Sequence, residues 1–426
     1  MRNLTKIILF TWFLFIVFEA PLRFVFFKTS VPYFIYMKDL LLFSLFLVFI
    51  FNAIYQNRIN KVILLIFLFL AYGIAIGYIN KLSILQILFG FKVFLSFFAG
   101  FIAVYSLKVE ERFFLKIFRV FVPIIIFGLI LEYLHLLPWK GFKYELLGFS
   151  IEASRQWSTF GVSRLSGFGR ASFETAFLLF SLSVLYIVIS YKLKSELKLY
   201  MKFYDYLLLA LSFVGITLTT SKTVFFAFLI FIFFFVLIKI YDRVNNIPKL
   251  FADLLSRVLL FALFLVGIIP PVFALLRKSY LPNGFLHSHA AKFLFGSYIE
   301  RIEYMWPNAV KLLSGYHMFF TGRGLGGIGA AQKYFEANIY NAADNLYVYL
   351  FVDFGFIVLI IFIFYLLYNL LFLKLNNKEN IYFFVFCLII FSCGATLNVI
   401  ESPTLMMTLG ILFGLWKRSV TSHRQV

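Results

Sequence analysis

Four short stretches of this 426-residue chain hold side chains able to bind an anion or move a proton. The first is Arg164-Leu-Ser-Gly-Phe-Gly-Arg170, continuing Ala-Ser-Phe-Glu174. Its glycines allow a sharp backbone turn, and each guanidinium can fork onto two phosphate oxygens. A helix starting just beyond adds the positive potential of its amide end. The second is Thr219-Thr-Ser221-Lys222-Thr223, which places hydroxyls and one ammonium in a tight turn at a helix start. The third runs from Ser297 to Gly327. Arg301 lies there on an amphipathic surface helix that turns Ile302, Met305 and Trp306 to lipid or protein, and Gly322-Arg323-Gly-Leu-Gly-Gly327 follows. The fourth is Asp344-Asn345, opening a helix with Asp353-Phe-Gly355 deeper inside, where a carboxylate is a reasonable general base for a hydroxyl nucleophile. Plainer roles exist for each: interfacial arginines that snorkel, and helix caps at Ser221 and Asp344-Asn345. The glycine cluster lacks the strand that precedes a nucleotide loop, which excludes ATP binding there.

The elements that must position these groups are membrane helices. Hydrophobic residues make up 63% of the chain, more than a soluble domain can carry and still cover its surface. The apolar residues fall in runs of roughly 17–25, the length that crosses a ~30 Å hydrocarbon core. The expected fold is all-α, a single membrane domain over 1–426 with about twelve transmembrane helices. These lie near 7–27, 35–55, 62–79, 84–106, 113–136, 172–191, 205–220, 223–241, 257–276, 345–372, 380–397 and 403–417. The first run ends in Glu19-Ala-Pro21 without a small-residue cleavage pattern, so it reads as a retained helix.

A net charge of +20 would suggest nucleic acid in a soluble protein, but here topology explains most of it, and no nucleic-acid partner is expected. With both termini in the cytoplasm, the short inner segments hold most cations, among them Arg2, Lys6, Arg112, Arg119, Lys192 and Arg418. The short outer loops hold Arg23, Lys28, Lys38, Lys81 and Lys222. This is the positive-inside bias. Two long outer segments, 137–171 and 277–344, break it: the first carries Lys140, Lys143, Arg155, Arg164 and Arg170, the second Arg301, Lys311, Arg323 and others. Long loops translocate whatever their charge, and a cationic outer face could equally hold an anion. Loops of that length are usually functional, and short surface helices are expected within the larger one. Glu19, Asp39, Lys92, Glu132 and Glu401 lie in or near membrane segments, where ionisable groups face a cavity or each other. Cys387 and Cys393, six apart in one run, fall on different helix faces. His287-Ser-His289 lacks a third ligand, so no metal is expected there.

Taken in order, these stretches resemble the O-antigen ligase and Wzy-type O-antigen polymerase superfamily over roughly residues 160–360. The matching positions are Arg164 to Phe168, Ser221-Lys222, Arg301 with Trp306, Gly322 to Gly327, Asp344-Asn345 and Asp353-Phe-Gly355. Lys222 stands where the family usually has Arg, and Trp306 comes one residue later than its commonest spacing. Asp344 stands where ligases tend to have His, a departure that fits a polymerase better. The resemblance implies a glycosyltransferase that joins undecaprenyl-diphosphate-linked oligosaccharides at the outer face of a bacterial inner membrane. No cofactor, metal or nucleotide sugar is implied, and transfer would invert the anomeric carbon. By the same resemblance Asp344 is the base, Arg164 and Arg301 are catalytic contacts to the diphosphate, and Arg170, Lys222, Arg323, Ser221 and Asn345 bind substrate. Its partners would be the lipid-linked glycan, the bilayer and a chain-length regulator. The alternatives are a ligase that transfers glycan to lipid A core, or a flippase. The long cationic outer loops argue against the flippase.

Overall fold

Pro21 breaks what the apolar run from Ile7 onward reads as one helix. In the computed structural model, α1 (Arg2–Val17) and α2 (Glu19–Lys28) meet at Phe18 with a bend of 82°. Proline has no N–H to donate to the carbonyl one turn back, and its ring crowds that carbonyl. The Ala20 amide bonds instead to the Phe168 carbonyl at 3.0 Å, which ties the break to the arginine-bearing loop. The structure describes the chain apart from residues 56–60, 147–148, 160–161, 194–198, 244–248, 276–295, 373–379 and 424–426. His287 and His289 lie outside the described residues.

Helices then follow the apolar runs. These are α3 (Met37–Tyr55), α4 (Lys61–Ile79), α5 (Ile84–Tyr105), α6 (Glu111–Tyr133), α7 (Ser172–Lys192), α8 (Leu199–Leu218), α9 (Lys222–Arg243) and α10 (Lys249–Leu275). Three short helices, α11 (Trp306–Lys311), α12 (Tyr316–Thr321) and α13 (Ala330–Phe335), precede α14 (Leu346–Leu371), α15 (Asn380–Gly394) and α16 (Pro403–His423). Among the described residues six helical segments are long and apolar enough to cross a membrane, and the bent α1–α2 pair makes a seventh if it is one span. Four shorter apolar stretches accompany them, at Leu64–Ile79, Phe203–Leu218, Lys222–Ile238 and Asn380–Gly394. The protein is therefore a mostly helical, multi-pass membrane protein. Length and composition alone account for fewer crossings than the twelve expected.

The bundle is held by close helix contacts and by charge pairs at its ends. Gly100 of α5 abuts Met407 of α16, and Gly410 of α16 abuts Phe97 of α5, the small-residue contact that lets membrane helices approach. At the end carrying Glu111, that carboxylate pairs with Lys192 at 2.9 Å and Arg418 at 3.2 Å. Buried Asp205 accepts two bonds of 2.7 Å from Arg119. Outward-facing Phe51, Leu65 and Phe364 form part of a broad apolar exterior.

Two features depart from a purely helical chain. The segment 137–171 holds two small antiparallel hairpins, β1 (Lys143–Leu146) with β2 (Phe149–Glu152), and β3 (Ser158–Thr159) with β4 (Val162–Ser163). Apolar and polar residues alternate along β1, so Tyr144, paired with Ile151, can pack down against Ile35 while its neighbours face out. The second departure is a break inside α14 at Gly355, where φ is 76°. A residue with a Cβ resists that conformation. The break leaves carbonyls to be satisfied from outside the helix. Arg323 N–H donates to Val352 O at 2.7 Å and Gly324 N–H to Asp353 O at 2.8 Å. The glycine cluster at 322–327 is thus a packed backbone strap, bonded also to Gly73 and Gln86.

Candidate active site

Arg301 and Asp344 are 43 residues apart in sequence and touch in the structure. Arg301 donates to Asp344 Oδ2 through Nη2 at 2.9 Å and Nε at 3.3 Å, and through Nη1 to the Ser297 carbonyl at 3.2 Å. The contact depends on Asn341, which sequence reasoning passed over. Its side chain donates to Met305 O at 2.7 Å and accepts from Ala343 N–H at 2.7 Å. The turn is thereby pinned to the wide π-type helical turn Arg301–Met305, beside which Trp306 is fully buried against protein. Asp344 has a φ of 33° and Ala343 of 59°, strained values held by these bonds.

Asn345 fixes the helix behind the pair. Its Oδ1 accepts from Tyr347 and Val348 N–H at 2.9 and 3.1 Å, capping α14. Its Nδ2 donates to Gly267 and Ala395 carbonyls at 3.1 and 2.8 Å. That uses both donors and both lone pairs, so Asn345 positions Asp344 and has nothing left for a substrate. Arg323 is likewise turned inward, donating to Gly327 O at 2.5 Å and to the Glu336 carboxylate at 2.8 and 3.1 Å.

The loop 164–170 is anchored by Glu132, which accepts from Ser166 N–H at 2.7 Å, from Gly167 N–H, and pairs with Lys140. Gly167 there has a φ of 58° and lies against the α6 backbone. The anchored turn places Arg164 close enough to Lys222, at the start of α9, for their charges to interact. Ser221 accepts the Phe225 N–H with its backbone carbonyl, as a helix start requires. A 3.3 Å hydroxyl contact from Thr396 to Thr223 and the Asn345–Ala395 bond tie the starts of α9 and α14 to one connection, 395–402.

That connection carries Glu401, which sequence reasoning singled out only as an ionisable group near the membrane. Its carboxyl is partly buried, accepts the Ala330 N–H, and senses the charges of Asp344, Arg155 and Lys333. Burial pushes it up from an ordinary 4.5 to about 7, with Asp344 adding to the rise and the Ala330 amide opposing it. Glu401 also lines a cavity of about 620 Å³. The cavity walls come from α2, α3, α5, α7 and α13, and Ile151 of the first hairpin contributes to them. Glu19, Asp39, Lys92 and Glu401, four of the five ionisable residues expected to face a cavity or each other, line it. Arg170 lies there too, with Arg23, Lys38 and Glu174. Burial and the neighbouring Arg23 disfavour the charge on Arg170.

The structure therefore joins Arg301 to Asp344, brings Arg164 near Lys222, and places Arg170 in the cavity that Glu401 also lines. Residues 207–363 match the family model described as O-antigen ligase. Over that segment the chain is similar to the O-antigen ligase family. The segment contains Ser221, Lys222, Arg301, Arg323, Asp344 and Asn345; Arg164, Arg170 and Glu401 lie outside it. No curated protein and no solved structure matches the chain. The family covers ligase- and polymerase-type membrane enzymes of surface-polysaccharide synthesis.

Proposed function

We propose that the protein is a glycan polymerase that joins undecaprenyl-diphosphate-linked repeat units at the extracytoplasmic face of a bacterial inner membrane. The observation that carries this reading is the Arg301–Asp344 ion pair of 2.9 Å, set at the end of the bundle where Arg164 and Lys222 also converge. A hydroxyl of the acceptor's non-reducing-end sugar attacks the anomeric carbon of the donor. The carbon–oxygen bond to the diphosphate breaks, and lipid diphosphate departs as the leaving group. The hydroxyl proton passes to a carboxylate, for which Asp344 is the candidate.

Charge grows on the departing diphosphate, so fixed cations stabilise the transition state more than the ground state. Arg164, Lys222 and Arg301 supply them without a metal. Arg301 has a second effect. When the diphosphate draws its guanidinium away, the Asp344 carboxylate is released from its ion pair and is free to take the hydroxyl proton. Arg323 and Asn345 support this site from behind, Arg323 turned to Gly327 and Glu336 and Asn345 with both amide donors spent on protein carbonyls.

The reading is tested with purified protein in lipid vesicles supplied with lipid-linked repeat units alone. Longer lipid-linked glycans, formed without nucleotide sugar and insensitive to EDTA, are the expected product. Product only after addition of lipid A core makes the protein a ligase. Movement of the lipid-linked glycan across the bilayer without elongation makes it a flippase.

A further inference from the structure

We infer that the 620 Å³ cavity is the acceptor pocket, holding the uncharged terminal sugars of the incoming repeat unit and not the diphosphate of either lipid carrier. This rests on the glycosyl-transfer reading above and says which part of which substrate the cavity takes.

Charge balance is the first argument. Glu19 binds Arg23 at 2.6 Å and Lys38 at 2.9 Å, and Lys92 binds Asp39 at 2.7 Å. Arg170 faces Glu174, four residues on at the start of α7. A diphosphate entering here would have to strip cations from carboxylates that are buried, as Glu19 is, or partly buried, as Asp39 and Glu174 are, leaving them uncompensated. A neutral polyhydroxyl ligand disturbs none of these pairs, and its hydroxyls can bond to carboxylates and guanidinium groups alike. The volume falls within the range of ~300–1,000 Å³ usual for small-molecule pockets.

The lining supplies the other requirements of a sugar. Tyr36, Phe89, Phe168 and Tyr334 present rings beside the charged groups, suited to the apolar faces of pyranose rings. The Nε of Arg170, a residue of this lining, is buried without a hydrogen-bond partner among the described residues, a donor for which an acceptor oxygen is wanted. A polyprenyl or acyl chain fits poorly, because eight acidic or basic side chains line the same space and would lose hydration against it. Position completes the case. Glu401 and Ala330 belong to the cavity wall, and Glu401 lies near enough to Asp344 for their charges to interact, which sets the cavity on the side of the bundle that carries the proposed base.

The test uses the full-length protein in nanodiscs and two probes. One is the repeat-unit oligosaccharide freed of lipid and phosphate by mild acid from the cell's own lipid-linked glycan; the other is a short-chain polyprenyl diphosphate without sugar. Calorimetry should show both binding. Ser96→Phe, which fills the cavity without altering charge, should weaken the oligosaccharide about tenfold or more and leave the diphosphate unchanged. Glu174→Gln, checked for an unaltered melting curve, gives the same reading should the larger side chain unfold the bundle. Arg164→Ala should do the reverse, weakening the diphosphate only. Oligosaccharide affinity retained in both cavity variants, no oligosaccharide binding to the wild type, or loss of diphosphate binding in Ser96→Phe each overturns the inference. Elongation by a protein that holds no free oligosaccharide sinks the acceptor pocket alone. Oligosaccharide binding without elongation sinks the polymerase reading alone.

Discussion

Glu401→Gln should make the protein more stable at alkaline pH and leave it almost unchanged in acid. The carboxyl is raised from 4.5 to about 7, chiefly by burial and further by the charge of Asp344. Between those values the folded protein keeps a proton that the unfolded chain has released. Wild-type stability is therefore undiminished below pH 4.5, declines as pH rises, and has lost the full increment above pH 7. At about 1.4 kcal/mol per unit the increment is ~3 kcal/mol. Glutamine has no proton to lose and keeps an oxygen for the Ala330 N–H, so the variant escapes the decline. Equilibrium unfolding of the purified protein in mixed dodecyl sulfate and maltoside micelles, at a series of pH values from 4.5 to 8, measures the difference directly. A stability gap that stays constant across the series, or a wild type that gains on the variant as pH rises, would refute the burial argument.

Asp344→Asn should cut elongation about 10²–10⁴-fold, the usual worth of a general base, with normal membrane insertion; activity near wild type reduces Asp344 to a structural turn residue. Arg301→Ala and Arg164→Ala should abolish the polymer ladder, and normal ladders from both remove the diphosphate assignment. Asn345→Ala withdraws a helix cap and leaves the carbonyls of Gly267 and Ala395 without a donor, so unfolding free energy should fall by about 2–3 kcal/mol, read in the same micelles. Gly355→Ala forces a Cβ into a φ of 76° against the Phe320 carbonyl and should cost about 1–3 kcal/mol, while slackening the strap that carries Arg323. Asp205→Ala should destabilise by about 3 kcal/mol through the orphaned Arg119 and leave oligosaccharide binding intact.

The sequence by itself determined the class of molecule and the order of its chemistry. Apolar runs of spanning length can lie only in a membrane, and hydrocarbon forces their backbone to bond within helices, so helix positions were legible from composition. Arg301, Asp344 and the glycine cluster could be picked out because their side-chain types can bind an anion, move a proton or turn the backbone, and because their order resembles that of a known family. Tertiary structure decided what each of them touches. No local pattern says that Arg301 reaches Asp344 across 43 residues, or that Arg323 turns inward to Glu336. The break at Gly355 and the strap that satisfies it are two halves of one hydrogen-bonded unit, visible only once both are folded. Among the charges near the membrane, sequence showed that Glu19, Asp39, Lys92 and Glu401 need partners. Only packing could choose Arg23 and Lys38 for Glu19, Lys92 for Asp39, and the Ala330 amide for Glu401. The reason is physical. Solvation cost is a property of a residue and its immediate segment, whereas pairing depends on which helices the whole bundle brings together.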